Sequence, residues 1–171
     1  MKNAYPYQHK IKTYKEIREI ASKLRARGKK IVMVSGCYDI VHLGHVQFLI
    51  DAKKHGDVLI VSVGSDKIIR QLKGLERPVM NQSYRASMLA SLIPVDYVVI
   101  DEEPLQLPHR INFEKLLSLV RPAFFAVNNN DKSIEVKKKL MSKYGSKLTV
   151  IDVESTAITS TTEILELLKR L

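Results

Sequence analysis

The strongest constraint on how this chain folds is a regular exchange between short, continuously apolar runs and segments with helical spacing. Ile31–Val34, Val58–Val63, Tyr97–Ile100, Phe124–Val127 and Leu148–Val153 are the apolar runs. Each is too short for a buried helix, and successive apolar positions suit a strand covered on both faces. Between them lie the helices. Thr13 and Glu16 form a capping box for a leading helix whose apolar face carries Ile17, Ile20, Ala21 and Leu24, with Gly28 at its stop. A turn over 35–39 leads into a helix to about Lys54, with Val46, Leu49 and Ile50 as its buried stripe. Ser65 caps a helix to Leu72 and Asn81 one to Leu92; Ser133–Tyr144 is a helix ended by Gly145; Ser160, with Glu163, caps the last. This order predicts one doubly wound α/β domain: a parallel five-stranded sheet with helices on both faces and an N-terminal helix. Residues 1–12 are expected to be a basic arm and residues 13–171 the domain. A chain of 171 residues can bury roughly two thirds of its unfolded surface without staples.

Charge needs locating before it is interpreted. The net charge is +10, but residues 1–30 hold ten of the 28 Lys/Arg and only two of the 18 Asp/Glu. The rest of the chain is close to balance, so the basicity belongs to the arm and leading helix. A charge run of this kind reads as a solvated helix face. No zinc-finger spacing, RNP-like aromatic motif or recognition helix accompanies it, so nucleic acid is not expected as a partner. The one cysteine, Cys37, excludes an internal disulfide and fits a reducing compartment. No apolar run nears 18 residues, and the first ten residues lack a hydrophobic secretion segment. A soluble, cytoplasmic protein with no membrane contact is the expectation.

In a parallel α/β sheet, ligands bind outside the carboxyl ends of the strands. The loops at 35–45, 64–85, 100–112, 128–133 and 154–162 are therefore the candidates. None carries the dinucleotide-binding glycine pattern or a P-loop. The first loop, Ser35-Gly36-Cys37-Tyr38-Asp39-Ile40-Val41-His42-Leu43-Gly44-His45, carries the chemistry instead. Gly36 is expected to let the backbone turn sharply. His42 and His45, three apart, share one side of a first helical turn, where free N–H groups and the helix dipole favour an anion. Gly44 keeps that turn bare for a phosphate. Two imidazoles there can hydrogen-bond oxygens on which charge grows during displacement at phosphorus. A zinc site using both histidines and Asp39, or a pair of ordinary helix-start histidines, are the competing readings. Cys37 has no partner to act as a nucleophile and is read as packing and backbone.

Gly36-x-Tyr38-Asp39-x-x-His42-x-Gly44-His45 after the first strand, with Ser160-Thr161-Thr162 opening the last helix, resembles the cytidylyltransferase-like nucleotidyltransferases over residues 13–170. Within them the chain is similar to the sugar-phosphate branch, the heptose 1-phosphate adenylyltransferases, in Leu72-Lys73-Gly74, Arg77-Pro78-Val79, Arg85 and Val95-Asp96-Tyr97-Val98-Val99. The resemblance implies a Rossmann-like nucleotidyltransferase fold and direct transfer of a nucleoside monophosphate, AMP from ATP, to a phosphorylated small molecule, with pyrophosphate leaving. It implies that His42 and His45 hold the α-phosphate, and that Gly36, Cys37, Tyr38, Asp39 and Gly44 lie along the nucleotide. Asn128 and Asn130 would contact the nucleotide, and Ser160, Thr161 and Thr162 the triphosphate. Lys73 and Arg85, with Arg77 a third, are the candidates for the pyrophosphate or acceptor phosphate. Mg²⁺ would come with the triphosphate, and the apolar face of the leading helix could serve a homodimer. The chain departs from its branches at Val127-Asn128-Asn129-Asn130-Asp131, where the heptose branch reads Lys-Gly-Gly-Asp-Tyr and the glycerol-phosphate cytidylyltransferases Gly-Asp-Asp. Ser155 stands where the latter carry an arginine, which favours ATP over CTP. A CTP-dependent enzyme for glycerol 3-phosphate or a similar alcohol phosphate, and a catalytically silent nucleotide-binding module, are the alternatives.

Overall fold

The computed structural model describes residues 5–104, 113–153, 161–168 and 170. A short 3₁₀ turn at Gln8–Lys10 leads into β1 (Ile11–Lys12) and α1 (Tyr14–Ala26). Then come β2 (Ile31–Gly36), α2 (Leu43–Lys53), β3 (Val58–Gly64), α3 (Asp66–Lys73), α4 (Gln82–Ser91) and β4 (Tyr97–Asp101). The chain continues through α5 (Glu114–Val120), β5 (Phe124–Asn128), α6 (Ile134–Lys143), β6 (Lys147–Ile151) and α7 (Thr161–Leu168). All strand pairs are parallel, in the order β1-β4-β3-β2-β5-β6.

The apolar runs are continuous because successive strand residues feed two different cores. Val32, Val34, Leu59, Val61 and Val63 pack with Phe48 and Leu49 of α2 and with Ala86 and Leu89 of α4. Ile31, Met33, Val58, Ile60 and Phe125 pack on the other face with Ile17 of α1, Leu116 of α5 and Met141 of α6.

Six strands form where five are expected. The sixth is β1, two residues at the edge, pairing Ile11 with Val98 and Lys12 with Val99. Two residues are too few to leave an apolar signature. The basic arm is thus anchored at its end: Lys10 Nζ donates to the carbonyls of Leu92 at 3.3 Å and Val95 at 2.7 Å. Helix α5 is also absent from the sequence reading. It has only seven residues and no side-chain cap, and Arg121 rather than glycine takes the left-handed position that ends it (φ 45°). Its Leu116, Leu117 and Val120 are buried in the core that holds Ile17 and Ala21 of α1. The apolar stripe of the leading helix, suggested for a homodimer, is therefore largely spent within the chain.

The caps at Thr13, Ser65 and Asn81 form as expected, with Glu16, Ile68 and Tyr84 N–H groups donating to them. Ser133 does not cap α6; its hydroxyl donates to Asp131 Oδ1 at 2.5 Å instead. No helix among the described residues is long and apolar enough to cross a membrane.

Candidate active site

Strands β2, β3 and β4 run outward in one direction and β5, β6 in the other, so the order reverses between β2 and β5. Helix α2 leaves β2 at that point. The carboxyl ends splay there into a cleft of about 710 Å³, whose lining includes Gly36, His42, His45, Lys73, Asn129 and Asp152.

The loop from β2 is built around a tyrosine. Tyr38 is buried and takes the left-handed conformation (φ 48°). A Cβ on Gly36 would lie 2.9 Å from Tyr38 Cε2. Glycine is required here because the Tyr38 ring lies against the backbone; the unusual dihedral expected at Gly36 belongs to Tyr38. Gly44 also has a neighbour, since a Cβ there would lie 3.2 Å from His42 Nδ1. Its bareness seats a histidine ring.

His42 is the N-cap of α2, and its backbone N–H donates to His45 Nδ1 at 3.4 Å. The two rings pack in a tilted pair, with centroids 3.8 Å apart and planes inclined by 34°. Tyr38 backs His45 at 5.2 Å. Accepting at Nδ1 assigns His45 the Nε2–H tautomer, which leaves one N–H free to donate. Burial, then His42, then Lys73 pull the His45 pKa from 6.5 down to about 4. Burial lowers His42 as well, against an opposing pull from Glu163. The cleft therefore presents neutral imidazoles at neutral pH.

This has a consequence for stability. The folded chain keeps His45 neutral down to about pH 4, whereas an unfolded chain protonates it near 6.5. Between those values the unfolded state binds the extra proton, so this site's contribution to stability rises with pH over that window and levels off above it. Melting temperatures between pH 4 and 7 should show the slope, and His45→Gln should flatten it.

Several sequence-predicted residues lie beside the cleft and brace its walls. Arg85 is fully buried, so it does not reach a phosphate as expected. Its Nε donates to Met80 O at 2.9 Å, Nη1 to Cys37 O at 2.6 Å, and Nη2 to Gly64 O at 2.8 Å and Asp66 Oδ1 at 2.7 Å. It ties the loop after β2 to the end of β3 and to α4, which makes it a positioning residue. Asp39, expected on the nucleotide, is buried and accepts from Arg77 Nε at 2.6 Å and Met80 N at 3.1 Å. Both its oxygens are engaged, which also removes it as a zinc ligand. No group of three or more His, Cys, Asp or Glu among the described residues is arranged to hold a metal. Thr161 Oγ1 donates to Ile40 O at 3.4 Å, fastening α7 to the loop ahead of α2. Thr162 lies in the first turn of that helix, and Ser160 and Ser155 lie outside the described residues.

The opposite wall is the end of β5. Asn128 Oδ1 accepts from Asn130 N at 3.3 Å, and both line the cleft. Burial pushes the Asp131 carboxyl up, but Lys137 and two bonds from Ser133 outweigh it and hold it below the usual value. Cys37 lines the cleft beside Gly36. Lys73, at the end of α3, also reaches the cleft and makes no ion pair among the described residues. Asn129 and Asp152 also line the cleft, and the sequence reading, which marks the loop at 128–133, names neither as a contact. Asn129 is hidden among three asparagines, and Asp152 is absorbed into a strand that in fact ends at Ile151. A charged residue within an otherwise apolar run was the available signal.

A family model for cytidylyltransferase-like proteins matches residues 33–170, a span that holds both histidines and α7. The chain belongs to that family. Among curated relatives, it is 36% identical over 166 residues to bifunctional protein HldE of Syntrophotalea carbinolica, covering 96% of this chain and 32% of that one. It is 48% identical over 112 residues to bifunctional protein HldE of Aliarcobacter butzleri, covering 66% of this chain and 22% of that one. The chain thus spans about a third or less of these relatives' length. Among solved structures, a lipopolysaccharide core biosynthesis protein from Thermoplasma volcanium superposes with a TM-score of 0.62 at 26% identity, covering 75% of this chain and 99% of that one. A pantoate–β-alanine ligase from Francisella tularensis gives the same TM-score of 0.62 at 21% identity, a likeness of fold. The cytidylyltransferase-like family is a family of nucleotidyltransferases, and in this chain the two histidines lie at the switch point of the sheet.

Proposed function

We infer that the chain transfers AMP from MgATP to the phosphate of a small phosphorylated acceptor, with a sugar phosphate as the favoured class. The observation that carries this reading is the His42–His45 pair, held neutral at the start of α2 and facing a cleft with Lys73. An acceptor phosphate oxygen attacks the α-phosphorus, the bond from that phosphorus to the bridging oxygen breaks, and pyrophosphate departs with the electron pair. No covalent enzyme intermediate is needed, so the protein acts by positioning and by donating to oxygens where charge accumulates. His42 and His45 supply neutral N–H donors, α2 its first-turn N–H groups, and Lys73 a cation for the leaving pyrophosphate. The magnesium ion belongs to the nucleotide substrate. The sugar-phosphate preference is supported by the similarity to the heptose 1-phosphate branch and by the Thermoplasma protein, which is named for lipopolysaccharide core biosynthesis.

The test is a pyrophosphate-release screen crossing the four nucleoside triphosphates with phosphorylated sugars, polyols and cofactor precursors. Turnover with ATP and a sugar phosphate is expected. Preference for CTP with an alcohol phosphate would replace the reading by the cytidylyltransferase alternative. Nucleotide binding with no release on any acceptor would replace it by the silent module.

A further inference from the structure

The two helical layers of this domain treat charge differently. On the layer that holds α2 and α4, the cations of α2 are answered by acids: Lys53 pairs with Asp96 and Lys54 with Asp51. Helix α4 has one charged residue, Arg85, and it is buried. The layer of α1, α5 and α6, which covers the other core, is the reverse. Lys15, Arg18 and Lys23 on α1, Arg121 after α5, and Lys138 and Lys139 on α6 are exposed and make no ion pair among the described residues. The excess charge therefore occupies one whole side of the sheet rather than one helix.

The fold itself gains nothing from this crowding. Lys15 stands in the first turn of α1, where the helix dipole favours acids. Arg25 donates to Val120 O at 2.5 Å, which brings its guanidinium close to Arg121. Burial, and then that like charge, hold Arg25 below its usual pKa. Along α1 lies a hollow of about 440 Å³ lined by Lys15, Arg18, Glu19, Ser22 and Lys23, so three cations and a single acid converge on it.

Shape narrows what can answer the charge. Three helices side by side, at about 10 Å each, present a surface about 30 Å across, broader than a stripe that follows one nucleic-acid strand. Tyr14 and Tyr144, the tyrosines beside it, are half-buried and bonded to Asp101 and Glu114, so neither offers its ring for a base to stack on. We propose that the α1–α5–α6 side is a docking surface for an anionic lipid bilayer, held by charge alone. The expectation of no membrane contact rests on the lack of a long apolar run, and electrostatic adhesion needs none. None of the six cations lines the cleft, so the docked protein keeps it open to substrates.

The experiment is sedimentation with vesicles of phosphatidylcholine containing about one third phosphatidylglycerol, against phosphatidylcholine alone, at physiological salt where the Debye length is about 8 Å. Wild type is expected to bind the anionic vesicles, to ignore the neutral ones and to be released by high salt. Arg18→Glu/Lys139→Glu removes one cation from each flanking helix and should lower the partition coefficient about 20-fold or more, at roughly fivefold per cation. Lys67→Glu/Arg70→Glu changes the net charge equally but lies on α3, outside this side, and should lower it less than about threefold. All four residues are exposed, and melting temperatures check that both variants fold. Wild type left in the supernatant, or equal losses in the two variants, would overturn the proposal. So would tighter binding to a single-stranded RNA than to the vesicles at the same salt, which would give this side to nucleic acid.

Discussion

Replacing His45 with alanine is expected to lower turnover by about 10²–10³-fold, the usual effect of removing one donor aimed at developing charge. The loss should fall mainly on kcat. A neutral imidazole donates only weakly to a ground-state phosphate, and its contribution grows as charge builds on the α-phosphate oxygens. The fold should tolerate the change, because His45 is only partly buried and its contacts are with Tyr38 and His42. His42→Ala should behave similarly with one difference. The His42 backbone N–H remains to support His45, whereas loss of His45 removes the acceptor of that bond. Turnover near wild type in both variants would refute the assigned chemistry. Single-turnover rates with saturating MgATP, alongside circular dichroism, separate a chemical defect from a folding one.

The second large effect is on stability. Arg85→Ala should destabilise the fold by about 3–5 kcal/mol, as expected when one partner of a buried ion pair is removed. Three carbonyls lose a donor together: Cys37, Gly64 and Met80. Asp66 loses its cation as well. For a domain of this size the melting temperature should fall by on the order of 10 °C. Arg85→Lys should recover little, since one ammonium cannot serve four acceptors spread across a planar fork. Thermal and denaturant unfolding of both variants is the measurement. A melting temperature within a degree or two of wild type would mean that the buried guanidinium does not join the loops.

Arg85 also marks the limit of what the sequence makes legible. The alternation of apolar runs specifies the parallel sheet, because a strand with both neighbours apolar must be covered twice. The glycine and histidine spacing locates the cleft, because helix starts attract anions whatever surrounds them. What escapes is the direction in which a long cation points. Lys73 and Arg85 both sit on helices between β3 and β4 and look alike as candidates, but one reaches the cleft and the other is driven inward by four acceptors that only the tertiary fold assembles. Asp39 and Thr161 are the same case, polar groups spent on holding loops together. β1 and α5 escape for another reason: each is stable only through contacts distant in sequence, β1 with β4 and α5 with α1.

The edge strand governs the side from which the chain enters this domain's sheet. β1 runs parallel to β4, so the chain enters at the amino end of the sheet, while the cleft opens at the carboxyl end. The strands between them are five to seven residues long, which puts the entry point about 17 Å or more below the cleft mouth. A domain joined directly ahead of β1 would start out underneath the floor of the cleft and would reach the substrates only through a linker long enough to climb the edge.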